Sequence, residues 1–81
     1  MNKASEHILE LLADSGLALP PKAIEVNLGR LQNDPPSRSS IFNAFDPLIE
    51  HGYIENIAES GSYYVITETG RAYLEGKLEN E

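Results

Sequence analysis

The stretch from Ser37 to Gly70, SRSSIFNAFDPLIEHGYIENIAESGSYYVITETG, constrains this chain more than any other part of it. Ser37 is a natural N-cap. After it, Ile41, Phe45 and Leu48 recur at helical spacing, with Ala44 and Ile49 beside them, so a helix with one apolar face is expected over 37–51. Ser39, Asn43, Asp46 and Glu50 fall on its opposite side. Gly52 stops the helix. Two β-rich segments, Tyr53 to Ala58 and Tyr63 to Thr67, then flank Glu59-Ser60-Gly61-Ser62, which is hairpin composition. Thr67 can cap a last helix in which Ala72, Tyr73, Leu74 and Leu78 supply apolar surface.

The N-terminal half is read the same way. Ile8, Leu9, Leu11 and Leu12 form an apolar stripe on a helix from about Ser5 to Ser15, and Gly16 fits the left-handed position after it. Leu17-Ala18-Leu19 is long enough only for a minimal strand. Pro20-Pro21 opens a second helix, because the missing proline N–H costs nothing in a first turn. Ala23, Ile24 and Leu28 give that helix a core face and Gly29 is expected to end it. Arg30 to Pro36 is loop chemistry, longer than the roughly 3–4 residues of a tight helix-turn-helix. It either extends the second helix by a turn or forms an insertion. Pro47 either kinks the third helix or, with Asp46 as a cap, restarts it. Lys77 to Glu81 reads as a frayed polar end.

The order helix, short strand, helix, helix, strand, strand, helix is the outline of a winged helix-turn-helix. The expected fold is therefore α+β: a three-helix core, a two- to three-stranded β-wing and a C-terminal helix, in a single DNA-binding domain over 1–81. A chain of 81 residues buries only about 60% of its unfolded surface, which suits one modest two-layer core. With no cysteine, a disulfide framework and a zinc finger are both excluded. No apolar run approaches the length of a membrane span and no signal-peptide pattern is present, so a soluble, cytoplasmic protein is expected.

A helix entering the major groove needs a compact polar N-terminal end. Ser37, Arg38, Ser39, Ser40 and Asn43 provide one. Arginine pairs bidentately with guanine, asparagine with adenine, and serine contacts either bases or phosphates. Each also has a plainer role: the serines as caps, Arg38 and Asn43 as solvated surface. Phe42 is expected to pack at the edge of the core face, the alternative being a contact to a thymine methyl. The wing turn carries no lysine or arginine, so Lys22 and Arg30 are the expected phosphate contacts.

The charge opposes this reading. Thirteen acids against six Lys and Arg leave a formal charge of −7, whereas nucleic-acid binding rests on basic patches. An acid-rich chain with three lysines suits a cytoplasm full of salt, where a Debye length of roughly 3 Å at molar ionic strength lets surface charge repel a phosphate only at close range. The plainer alternative is an ordinary acidic protein. His7 and His51 are the only histidines, and no spacing suggests a metal site, a phosphate loop, a cofactor fingerprint or a catalytic triad. Neither an enzyme nor a cofactor is expected.

From Ser37 onward the chain resembles the small haloarchaeal winged-helix regulators related to the halophage phi-H repressor. The residues carrying the likeness are Ser37-Arg38-Ser39, Leu48, His51-Gly52-Tyr53-Ile54, then Tyr64, Ile66, Thr67, Gly70, Tyr73, Leu74 and Gly76. The resemblance implies a transcriptional repressor that reads double-stranded DNA with its third helix and acts as a homodimer. The first and last helices are the expected dimer surfaces, since Leu9, Tyr73 and Leu78 exceed what a small core absorbs. Two departures stand out: Asn43, where a basic residue would be unsurprising, and the long loop before Ser37. The rival reading is a winged helix used for protein–protein contact without direct DNA binding. Arg38, Arg30 and Lys22 converging free of acids favours DNA; Glu25, Asp34 or Asp46 crowding that face favours the rival.

Overall fold

The computed structural model describes the backbone of residues 3–79 and the side chains of residues 3–76. Among the described residues the chain is a small α+β protein of four helices and a two-stranded antiparallel hairpin. The helices are α1 (Lys3–Ser15), α2 (Pro21–Leu31), α3 (Arg38–Glu50) and α4 (Glu68–Glu79), and the strands are β1 (Ile54–Asn56) and β2 (Tyr64–Ile66). The expected frayed end is thus helical as far as Glu79, while Leu78 as a surface residue lies outside the described side chains. No helix among the described residues is long and apolar enough to cross a membrane.

α1 is the centre of the packing, in contact with α2, α3, α4 and β2. Its stripe is the reason: Ile8, Leu9 and Leu12 are buried, together with Ile24 and Leu28 from α2 and Ile41, Ala44, Phe45 and Leu48 from α3. Leu9 therefore corrects one expectation. It is absorbed by the chain's own core and contributes nothing to a dimer surface, because α1 is covered on several sides rather than one.

The strands are shorter than expected. β1 and β2 pair with Ile54 opposite Ile66 and Asn56 opposite Tyr64. Leu19 joins from the other edge of β2 by an isolated antiparallel bridge, its N–H donating to the Tyr64 carbonyl at 3.0 Å and its carbonyl accepting from the Tyr64 N–H at 2.9 Å. The Tyr64 ring stacks on Phe45 with centroids 4.8 Å apart, fastening the hairpin to α3. Beyond β1 the loop is closed by one side chain. Asn56 Oδ1 accepts from the Ala58 and Tyr63 N–H groups at 3.0 and 3.1 Å, and its Nδ2 donates to the Gly61 carbonyl at 3.3 Å.

α2 continues two residues past Gly29 and stops at Leu31, with Gln32 in extended geometry as its C-cap. Gly29 is thus interior to the helix; the helix ends where Gln32 turns to extended geometry. The open alternatives for the loop settle as a partial extension of α2 followed by a short connection. α3 runs unbroken through Pro47, so no restart occurs. Pro47 is exposed, as is Asn43, and the Asn43 carbonyl that loses its proline partner can turn to water.

The end of α3 carries the fold's tightest junction. Gly52 takes a φ of +74°, its N–H donates to the Ile49 carbonyl at 2.9 Å, and the Tyr53 N–H donates to Leu48 at 3.0 Å, the paired bonds of a left-handed glycine cap. Thr67 then locks this cap to α4. Its hydroxyl donates to the Gly52 carbonyl at 2.5 Å and accepts from the Gly70 N–H at 3.0 Å, while its N–H donates to the Tyr53 carbonyl at 3.0 Å. Gly70 is packed against that same carbonyl: a Cβ there would collide with Tyr53 O and sit 2.8 Å from Ile66 Cγ1.

Glycine substitutions should therefore split in sign. Gly70→Ala forces backbone apart and should destabilise by about 1–3 kcal/mol or more. Gly29→Ala, in a helix interior with nothing within 4 Å of the new Cβ, should stabilise by up to about 1 kcal/mol. Urea unfolding midpoints of the two variants against the parent chain check both signs.

Candidate nucleic-acid interface

α3 begins on a cap that its own sequence supplies. Ser37 Oγ accepts from the Ser40 N–H at 3.1 Å and donates to Ser40 Oγ at 3.0 Å. Ser37 is thus occupied in holding the first turn, and the remaining amides of that turn point to solvent as a site of partial positive charge.

The next residues part to two flanks. Arg38, Ser39, Phe42 and Asn43 line one open groove of about 360 Å³. Ser40, about 200° around the helix from Arg38, faces away from it. It lines a second depression of about 260 Å³ with Lys3, Asp34, Pro35 and Pro36. Of the five residues expected to act together, Arg38, Ser39 and Asn43 share a face, Ser37 underpins it, and Ser40 leaves it.

The cations arrange around an acid. Glu25 of α2 lies 3.6 Å from Lys22 Nζ and 3.7 Å from Arg38 Nε. Its side chain is 23 % exposed, and Oε1 is buried without a hydrogen bond. These are ion-pair distances at the edge of water, worth at most about 1 kcal/mol each. Their effect is positional: two cations share one carboxylate, which keeps one net positive charge beside the start of α3. Arg30, five positions beyond Glu25, falls about 140° further around α2 and does not join them. The convergence expected of Lys22, Arg30 and Arg38 therefore holds for two residues, with Glu25 between them.

Arg38 is also held from the other side. Its guanidinium carbon lies 5.4 Å from the centroid of the Phe42 ring, one helical turn on. The Nε edge thus faces Glu25 and the guanidinium carbon sits over the Phe42 ring. Among the described residues no hydrogen bond engages the terminal nitrogens. Phe42, assigned by its spacing to the edge of the core, is half on the surface; the signal that could have found it is the Arg-x-x-x-Phe spacing. Asp46 is exposed a further turn along that flank.

His51 forms the α3 C-cap, and its ring stacks on Tyr53 with centroids 5.4 Å apart. His7 lies against Glu10 at 3.5 Å on α1. Among the described residues no group of three or more His, Asp or Glu is placed to hold a metal ion.

The cap makes a direct test of how α3 is presented. Ser37→Ala should cost about 1 kcal/mol of stability, the usual value of a lost N-cap. The same substitution should fray the turn that carries Arg38, seen as faster amide exchange at Ser40 and Ile41.

Comparison with known proteins finds no family model, no curated protein and no solved structure that matches the chain.

Proposed function

We propose that this chain is a winged-helix DNA-binding regulator, acting as a repressor, that reads the major groove with the first turns of α3. The observation that carries the reading is the groove of Arg38, Ser39, Phe42 and Asn43 on a helix start with a side-chain cap. It combines a guanidinium whose terminal nitrogens no hydrogen bond among the described residues engages, an amide and a hydroxyl, which are the groups that pair with base edges. The acids of α3, Asp46 and Glu50, come one to three turns later, where a helix entering by its N-terminus leaves them outside the groove. Lys22, 76 % exposed at the start of α2, is placed to reach a phosphate beside it.

The sequence resemblance to haloarchaeal repressors points the same way, and a saline cytoplasm reconciles a charge of −7 with a polyanionic target. Reading a palindrome takes two copies whose reading helices lie about 34 Å apart. Since Leu9 is buried, α4 with the half-buried Tyr73 is the remaining candidate surface for pairing.

The rival, a protein-contact module, is favoured by two observations: Glu25 beside Arg38, and a hairpin whose exposed side chains include Ile57 and Tyr63 rather than cations. Fluorescence anisotropy in molar KCl separates the readings, using the duplex immediately upstream of the chain's own gene against a shuffled one. Preferential binding to the native duplex is expected, weakened about 10-fold or more by Arg38→Ala, the scale of one lost bidentate base contact. Lys22→Ala should weaken both duplexes alike and lower the salt slope by about 1. Glu25→Gln, which removes the carboxylate facing the phosphates, should strengthen binding. Equal failure of both duplexes at every salt concentration would give the rival the lead.

A further inference from the structure

The Phe42 ring has no place in the core. Phe45 occupies that position, 4 % exposed and stacked on Tyr64, and Phe42 meets it edge-on with centroids 5.7 Å apart at 85°. Phe42 is left 39 % exposed on the same groove as Ser39 and Asn43, with the Arg38 guanidinium beside it. An apolar ring within a polar reading surface costs solvation unless something apolar covers it.

The base edges of the major groove offer one apolar group, the C5-methyl of thymine. The spacing fits. Arg38 and Phe42 lie one turn apart, and the 5.4 Å between guanidinium and ring is under two base-pair steps of about 3.4 Å, which brings the neighbouring base pair within reach. Glu25 lies on the Nε side of the guanidinium at 3.7 Å, which leaves the two terminal nitrogens for the O6 and N7 of a guanine.

We infer that Phe42 is a specificity-determining residue of this interface and receives the C5-methyl of a thymine in the base pair next to the guanine held by Arg38. The inference rests on the DNA-reading function proposed above and assigns its site a base preference. Arg38 and Phe42 act as one unit, the ring supporting the guanidinium and the methyl closing over the ring.

The test selects a randomised duplex library on the full chain in molar KCl, then remakes the enriched duplex with deoxyuridine at each thymine in turn. That exchange removes only the methyl. One thymine adjacent to a guanine is expected to respond, with about 4-fold weaker binding, the scale of exposing one buried methyl. The same exchange should change nothing for Phe42→Ala and should retain its effect for Phe42→Leu. An enriched duplex that tolerates uridine at every thymine overturns the inference and leaves DNA reading intact. A library with no enriched duplex overturns both. The uridine series on the parent chain needs no variant, so a poorly folded Phe42→Ala leaves the result decisive.

Discussion

The junction between α3 and α4 turns on the Thr67 hydroxyl. It donates to the carbonyl of Gly52 and accepts from the N–H of Gly70, so one oxygen joins the end of α3 to the start of α4. Tyr53 is held within the same junction, its carbonyl bonded by the Thr67 N–H and its ring tilted against Tyr73 with centroids 4.9 Å apart. The geometry leaves no room for a side chain at position 70, where a Cβ would strike the Tyr53 carbonyl. A helix, a hairpin and a second helix meet here within a few residues, and their backbone groups satisfy one another instead of being left to water.

This junction orients α3 from its C-terminal end, while the Ser37 cap defines its N-terminal end and the Phe45–Tyr64 stack anchors its middle. A helix held in this way presents Arg38, Ser39, Phe42 and Asn43 on a rigid element. Rigidity matters for any recognition surface, since a side chain whose backbone is already ordered loses less entropy on binding.

On an acidic chain, placement of charge counts for more than its total. Lys22 and Arg38 gather around Glu25, a carboxylate that neutralises part of their field and at the same time restrains the guanidinium. The surface at the head of α3 therefore combines a weak local positive charge with well-defined donor geometry. For the DNA-reading function proposed above, such an arrangement would favour selective pairing over indiscriminate attraction, because the salt-dependent phosphate term would be small and the base-edge term would depend on where the donors point.

Much of the architecture was legible in local chemistry. Ser37 as a cap, the proline entry to α2, the arrest of α3 at Gly52, the hairpin turn and the Thr67 cap are all decided within four or five residues along the chain, the range over which backbone groups find their partners. Residues whose role depends on distant neighbours were not legible. Gly29 resembles a helix terminator yet lies inside α2, since nothing packs against it and the next turn is free to form. Leu9 reads as surplus surface until α1 is seen covered by four elements. The sequence by itself determined the order of the elements, the Ser37 cap and the stop at Gly52, and it placed Arg38 and Asn43 at the head of a helix. Only the tertiary structure decided that Glu25 would flank Arg38 and that Phe42 would remain outside the core. Those outcomes follow from how α2 and α3 pack across the space between them, and no spacing along the chain encodes that distance.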